Sequence, residues 1–490
     1  MLNALHYFIK TKNKENMNNI VFFGPENVGK STMIGYLYCQ SLGPQQYEQE
    51  TNRIKATLGS RYRRDRKYSY FVDNAKDERE KQGQDNNDKK SGTGTSKYFH
   101  LKASLANNKE ILFIDTPGAP EYLQQRTQGI SMASIGVFAL EIKQLISDTD
   151  DADSYRYFNK FFSTWFLWKK MSGLKNSIII LTKYDRCAGK DDFEDAKSCL
   201  SLLLGANEIK ETLIIPTSVT VEMIEGKEVG KDINVTTKLM EDWYKGPCLM
   251  DALVEKCKVV DKENSDMPLL MFHVKDYPKY EQSKLSQWKI LQGMISSRDK
   301  VKIAPVELKD KSVKIDDKFT SMEAIIESIS GYNFDGKDGE YDDTAYSGSI
   351  SDIKFIFTGD RKYSILPTSI AVKPDEEVLM GNCITVEIQK EDCSEEEWSE
   401  IIGIYPKKQL SMLWFSRIIH VSLTKSIESI QLDLFRLTFL VSGNKVALPK
   451  RKLHQQTVML QLHLEHTLDG IKKEKIGLTT AVRAKVTDIY

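Results

Sequence analysis

The sequence predicts an α/β domain with a parallel-rich sheet and flanking helices, followed by two all-β barrel domains. Three observations lead to this fold class. Short apolar runs alternate with helical patterns up to about residue 260. After the polar stretch VVDKENSDMP at 259–268, period-two alternation replaces them. The polar loop VKPDEEVLMGN at 372–382 then divides this β-rich half in two.

These changes of pattern divide the chain into four segments. They are an N-terminal extension at 1–18, the α/β domain at 19–262, and β-barrel domains at 263–376 and 377–490. Within the α/β domain the predicted strands are 19–23, 111–115, 135–140, 177–182 and 212–216. The predicted helices are 30–40, 119–131, 155–172, 190–204 and 247–258.

Composition excludes several classes of protein. Lysine plus arginine equals aspartate plus glutamate at 69 each, so any nucleic-acid affinity must come from local patches. The seven cysteines are scattered without CxxC pairs, which indicates a reducing compartment and no zinc site. No apolar run approaches 18 residues, so we expect a cytoplasmic protein with no membrane partner. We also expect no DNA partner.

The first motif is GPENVGKS at 24–31, which fits GxxxxGK[ST] between a predicted strand and a predicted helix. In such a phosphate-binding loop (P-loop), backbone N–H groups at a helix N-terminus surround the phosphates. Lys30 would supply a positive charge and Ser31 a hydroxyl to Mg²⁺. The structural alternative is a glycine turn that caps a helix beside a surface lysine.

The second motif is DTPG at 115–118, directly after a predicted strand. Asp115 can hold a Mg²⁺-bound water, and the Gly118 N–H can sense a γ-phosphate. The same tetrapeptide is a favourable turn, so its position after a strand is what indicates a nucleotide site.

The third motif is TKYD at 182–185, which follows the predicted strand SIIIL. The Asp185 carboxylate can accept hydrogen bonds from guanine N1–H and N2–H₂, where adenine presents a lone pair, and the stem of Lys183 can lie along the base. Ser218 follows another strand and would lie near the guanine oxygen. The alternative for TKYD is a charged loop after a strand.

The order, spacing and surroundings of these motifs resemble the translational GTPases, in particular the group of elongation factor Tu, elongation factor 1-alpha and the gamma subunit of initiation factor 2. The similar segments are GKSTMIGYLY, YSYFVDNAKDERE, FIDTPGAPEYLQQRTQGISMASIGVFAL, IIILTKYD, LIIPTSV and, in the last domain, VSGNKVALPKRK. The resemblance covers about the first 260 residues. It implies that 19–262 is a P-loop G domain that binds GTP and GDP with Mg²⁺, followed by two β-barrels.

Motifs and resemblance together give the predicted site residues. The GTP-binding set is Gly24, Asn27, Val28, Gly29, Lys30, Ser31, Thr32, Asp115, Gly118, Thr182, Lys183, Asp185 and Ser218. The predicted Mg²⁺ ligands are Ser31, Asp115 and a switch I threonine, for which Thr95 is the first choice and Thr93 the alternative. The polar segment 74–97 is then the mobile switch I region, although SGTGT replaces the family's RGIT there.

The predicted catalytic positions are Gly118 and Ala119, and the second departs from the family. The resemblance implies a histidine at 119 that orients the attacking water at the ribosome, which a methyl group cannot do. Loss of such a group costs on the order of 10²-fold or more in hydrolysis. We therefore expect GTP capture with slow or differently triggered hydrolysis, unless Glu121, Gln124 or Gln125 substitutes.

The resemblance implies a monomeric GTP-dependent switch that delivers or positions a tRNA or a release- or rescue-type protein factor at the ribosome. A non-translational GTP-sensing adaptor and a GTPase subunit that activates a metabolic enzyme are the alternatives. Two basic clusters, RYRRDRKY at 61–68 and KRK at 450–452, are candidate RNA contacts or solvated faces.

Overall fold

A computed structural model describes most of the chain from residue 18 to residue 490. The described ranges are 18–72, 99–105, 109–118, 122–147, 177–204, 212–259, 266–276, 285–309, 318–331, 344–358 and 363–490, the last without 394, 403, 405–408, 416, 425–427, 432, 443–444 and 465–477. Several predictions lie outside the described residues: the switch I region 74–97 with Thr93 and Thr95, Ala119 with Glu121, and the helix at 155–172.

A six-stranded sheet forms the centre of the N-terminal domain. Its strands are β1 (Asn18–Phe23), β2 (Phe99–Leu105), β3 (Lys109–Asp115), β4 (Ile135–Glu141), β5 (Ser177–Thr182) and β6 (Leu213–Pro216). Their order is β2-β3-β1-β4-β5-β6, with β2 antiparallel to β3 and every other pair parallel. The central strands are buried on both faces, as their apolar runs predict.

Helices flank this sheet. They are α1 (Lys30–Ser41), α2 (Pro44–Leu58), α3 (Leu123–Ser131), α4 (Ile142–Ser147), α5 (Lys190–Leu204) and α6 (Leu249–Val259). The sequence did not predict α2 or the hairpin of β7 (Ser218–Ile224) and β8 (Lys227–Ile233). Glu225 and Gly226 both have positive φ in that hairpin turn, as a tight two-residue connection requires.

Two antiparallel barrels follow, so the predicted fold class is confirmed. The first closes in the order β10-β15-β13-β12-β16-β9. These strands are β9 (Leu270–Asp276), β10 (Leu285–Gln292), β12 (Lys300–Leu308), β13 (Phe319–Gly331), β15 (Ile350–Phe357) and β16 (Tyr363–Val372). A small ladder joins β11 (Met294–Ser296) to β14 (Thr344–Tyr346). The core of this barrel packs Trp288 edge-on against Phe355.

The second barrel is a seven-stranded sheet in which a further pairing, β18 with β22, closes six strands into a ring. The strands are β18 (Cys383–Gln389), β19 (Gln409–Trp414), β20 (Arg417–Leu423), β21 (Glu428–Gln431), β22 (Leu434–Val441), β24 (Thr457–Leu464) and β25 (Leu478–Ile489). Beside it, β17 (Val378–Gly381) pairs with β23 (Val446–Pro449), and α7 spans Glu395–Ile402. None of the helices in the described ranges is long and apolar enough to cross a membrane.

The basic cluster 450–452 connects the two barrels. Arg451 donates hydrogen bonds to Gln292 Oε1 (2.9 Å) and to the carbonyl of Leu269 (3.0 Å), and it forms an ion pair with Glu376. Lys450 pairs with Glu377 at 2.9 Å. Because these contacts occupy two of the three cations, the structure favours an internal role for the cluster over an RNA contact.

A buried lysine joins the first barrel to the G domain. Lys289 Nζ donates to the carbonyls of Met132 (2.7 Å) and Gly348 (2.8 Å), and Asn19 Nδ2 donates to the same two carbonyls. Burial lowers the pKa of Lys289 to about 7. The junction therefore contains an amino group whose charged form is destabilised by burial.

We expect Lys289→Met to reduce the pH dependence of stability. The folded pKa of Lys289 lies below its unfolded value, so the unfolded chain binds more protons between about pH 7 and pH 10.5. Unfolding free energy should rise with pH across that window, by at most about 1.4 kcal/mol per pH unit from this group. Denaturant unfolding of both proteins at pH 7 and pH 9.5 measures the difference, with the exposed Lys300→Met as control. Equal pH slopes in the wild type and Lys289→Met would contradict this role.

Candidate nucleotide-binding site

The P-loop lies between the end of β1 and the start of α1, and its backbone takes unusual conformations. Asn27 (φ 59°) and Gly29 (φ 92°) are both in the left-handed region. Gly24 (φ 141°) lies so close to β4 that a Cβ there would stand 2.2 Å from the Ala139 carbonyl oxygen. These conformations turn the backbone sharply ahead of the N-terminus of α1, which is the requirement for an anion-binding loop.

Lys30 is the charged group of this loop. Its Nζ donates to the carbonyls of Gly24 (3.0 Å) and Pro25 (2.6 Å), and the side chain is buried. Burial lowers the pKa of Lys30 to about 8, and the nearby Asp115 carboxylate opposes that effect. The ammonium group is therefore held in place and shielded from water. A bound phosphate oxygen would stabilise its positive charge in place of the missing water.

Ser31 and Asp115 bring two oxygen ligands together. Ser31 Oγ donates to Asp115 Oδ2 at 2.5 Å, although the two residues belong to different motifs. Hydroxyl and carboxylate oxygens are ligands that suit Mg²⁺, which commonly keeps waters and phosphate oxygens as its remaining ligands. Among the described residues no group of three or more His, Cys, Asp or Glu could hold a metal alone. The adjacent hydroxyl and carboxylate oxygens of Ser31 and Asp115 are donors that fit Mg²⁺ bound together with a nucleotide.

The DTPG loop is fixed against the P-loop. Thr116 Oγ1 donates to the Phe22 carbonyl at 2.9 Å, and a Cβ on Gly118 would stand 2.5 Å from the Glu26 backbone nitrogen. The buried Arg126 of α3 donates through Nη2 to the Gly118 carbonyl at 2.9 Å. Only glycine fits at 118, and Gly118 lies directly against the P-loop at Glu26.

The TKYD loop and Ser218 form the end of the site at which the sequence predicts guanine recognition. Lys183 has φ 56° and its Nζ pairs with Glu141 Oε2 at 2.5 Å. The Ser218 hydroxyl donates a short hydrogen bond to Asp185 Oδ1. One carboxylate oxygen of Asp185 is thus oriented by a neighbour that the sequence had placed in the same site. Thr182 has a structural bond in addition, from its Oγ1 to the Leu140 carbonyl at 3.0 Å.

A single cavity of about 500 Å³ joins these loops. Predicted residues on its wall are those at 27–32, Gly118, Thr182, Lys183, Asp185 and Ser218. Gly24 and Asp115 lie behind this wall, where they fix Lys30 and Ser31. The roles assigned to Thr95 and Ala119 stay predictions, because both residues lie outside the described ranges.

The sequence missed a third side of the cavity. Arg64, Asp65, Arg66 and Ser69 lie on its wall, together with Val219–Val221 of β7. The only sequence signal for this side was the cluster RYRRDRKY, for which RNA binding and a solvated face were the two hypotheses. The structure places the cluster in short 3₁₀ turns beside the predicted nucleotide site.

Comparison with known families decides the family of the chain. Residues 15–259, half of the chain, match the elongation factor Tu GTP binding domain. The chain belongs to this family. It is a divergent translational GTPase, and its first half is a GTP-binding domain of the elongation-factor type. A sequence comparison with the curated proteins gives no match.

Solved structures of other translational GTPases share the fold. A bacterial selenocysteine-specific elongation factor EF-Sec is similar over 96% of this chain at 13% identity with a TM-score of 0.55, and this chain covers 58% of that protein. Translation elongation factor SelB from Methanococcus maripaludis, in complex with the GTP analogue GppNHp, is similar over 98% of this chain and 80% of its own at 13% identity, with a TM-score of 0.55. At this identity the likeness concerns the fold, and it extends through both barrels of this translational GTPase.

Proposed function

We propose that this protein is a GTP-dependent switch of the elongation-factor type, which delivers or positions a tRNA or a protein factor at the ribosome in the cytoplasm. The observation that carries the proposal is the cavity that joins all three motifs between the P-loop and Asp185. The similarity to SelB and EF-Sec, which their names describe as elongation factors, supports the ribosome and tRNA as partners.

In this proposal the P-loop binds the phosphates through its backbone amides and Lys30. Ser31, Asp115 and Thr95 hold Mg²⁺, which neutralises phosphate charge when bound. Lys183, Asp185 and Ser218 recognise guanine. The Gly118 N–H reports on the γ-phosphate, because its loop packs on the P-loop and its carbonyl is held by α3.

Ala119 bears on how the bound GTP is hydrolysed. The chain carries the residues for nucleotide capture but a methyl group where the family has a water-orienting histidine. We therefore propose slow or differently triggered hydrolysis. The same observation favours the second candidate, a non-translational adaptor that binds GTP without turnover.

Two measurements test these functions. Calorimetry with Mg²⁺ present should show binding of GTP and GDP and much weaker binding of ATP, and absence of binding to both guanine nucleotides would end the proposal. Sedimentation with ribosomes and aminoacyl-tRNA then separates the candidates. Comigration that depends on GTP supports the translational switch, whereas tight GTP binding with neither comigration nor turnover supports the adaptor.

A further inference from the structure

Residues 61–69, RYRRDRKYS, form a compact segment that we call the arginine turn. It follows α2 and includes the 3₁₀ helix Arg64–Arg66 between two others, Gly59–Arg61 and Ser69–Phe71. Four of its residues lie on the wall of the nucleotide cavity, next to β7. None belongs to the three motifs from which the nucleotide site was predicted.

Glu228 of the β7–β8 hairpin anchors the arginine turn. Its Oε2 accepts a hydrogen bond from Tyr62 Oη (2.8 Å) and pairs with Lys55 Nζ (3.0 Å), while its backbone carbonyl accepts from Lys67 Nζ (3.0 Å). Burial raises the pKa of the Glu228 carboxyl, but the bonds from Tyr62 and Lys55 outweigh that effect and hold the pKa below its usual value. The anchor is therefore charged at neutral pH.

Aromatic packing fixes the same segment. Tyr68 packs edge-on against Tyr36 of α1 with ring centroids 5.0 Å apart. Its hydroxyl approaches the hairpin so closely that a Cβ on Gly230 would stand 1.8 Å from Tyr68 Oη. Tyr68 is buried, unlike the exposed Arg64 that precedes it. The turn is thus held between α1 and the hairpin rather than free in solvent.

Charge pairing within the turn is uneven. Arg63 pairs with Asp65 at 2.8 Å, and Lys67 is held by Glu228. The guanidinium groups of Arg64 and Arg66 make no ion pair or hydrogen bond within the part of the chain that the structure describes, and both residues lie on the cavity wall. Two uncompensated cations on a fixed segment are suited to an anionic ligand, and guanidinium groups suit phosphate oxygens.

We propose that Arg64 and Arg66 bind the phosphates that GDP and GTP share. This inference rests on the proposed function. It follows from position, because the 3₁₀ helix Arg64–Arg66 packs on β7, which begins at Ser218 in the base-binding part of the cavity. The turn therefore binds both nucleotide states alike and does not distinguish GTP from GDP.

Arg64→Ala, Arg66→Ala and the double variant test the inference by calorimetry with GDP, GTP and guanosine in the presence of Mg²⁺. The double variant should bind GDP and GTP about tenfold or more weakly, with guanosine affinity unchanged and a shallower salt dependence. Arg61→Ala is the matched control, because Arg61 is exposed on the same segment and off the cavity wall, and it should bind as the wild type does.

Glu228→Gln tests whether the anchor acts through the turn. It should weaken GDP binding in the wild-type background and have no further effect in the double variant, a pattern that general destabilisation would not produce. GDP and GTP affinities in the double variant equal to wild type would overturn the inference alone. The same holds if the double variant keeps GDP affinity but loses affinity for a ribosomal RNA fragment. Failure of the wild type itself to bind GDP and GTP would overturn the proposed function as well.

Discussion

Asp185→Asn is expected to abolish the preference for guanine, a discrimination of about 10⁴-fold at a site built on paired hydrogen bonds. The Asp185 carboxylate accepts from guanine N1–H and N2–H₂ in the proposed site, and an asparagine NH₂ would face those donors with another donor. Xanthine carries an oxygen in place of the N2 amino group, so xanthine nucleotides should become the better ligands.

The local structure makes this substitution a clean test. The Ser218 hydroxyl donates to Asp185 Oδ1, and an asparagine amide oxygen can accept the same bond. The amide should therefore keep its orientation while its other atom changes from acceptor to donor. Competition binding with GDP, XDP and ADP measures the result. Asp191→Asn, an exposed carboxylate at the start of α5, is the control.

Unchanged guanine preference in Asp185→Asn would show that the base is recognised elsewhere. Other polar candidates on the cavity wall at this end are Lys183, Arg186, Ser218 and Thr220. Loss of binding to GDP, XDP and ADP alike, with an unchanged melting temperature, would contradict the expected change of preference to xanthine nucleotides.

The parallel sheet was predictable because its strands are buried on both faces. Residues 177–182, SIIILT, cannot be a solvated segment, and the structure has the strand at Ser177–Thr182. The helix Pro44–Leu58 was not predicted, because only Ile54 and Leu58 of its 15 residues are buried. Apolar periodicity is weak in a helix that packs through so few side chains.

The nucleotide site was predictable where its chemistry is contiguous in sequence. The P-loop brings its glycines, lysine and serine together within eight residues, 24–31. The arginine turn could not be found in this way, since its place depends on the Tyr62–Glu228 bond across a separation of 166 residues. Arg126 was missed for a related reason, because its role in holding the Gly118 carbonyl depends on how α3 packs.

Ala119→His is expected to raise ribosome-stimulated GTP hydrolysis by about 10²-fold. An imidazole can orient the attacking water where a methyl group cannot. The preceding residue is already fixed, since Gly118 packs on the P-loop at Glu26 and its carbonyl is bound by Arg126. A histidine at 119 would therefore directly follow a residue that the P-loop and Arg126 hold in place.

Single-turnover hydrolysis with and without ribosomes measures this effect, with GDP affinity as a check on the binding contacts. Ala188→His, an exposed position beside the base loop, adds an imidazole away from the phosphates and should change neither quantity.

A raised rate only in Ala119→His with ribosomes would mean that the chain still docks in the orientation its relatives use and lacks one group. An unchanged rate, alongside the altered base preference of Asp185→Asn, would mean that nucleotide capture persists without that mechanism of hydrolysis. The adaptor would then be the better account, because GTP would be bound as a ligand and not consumed.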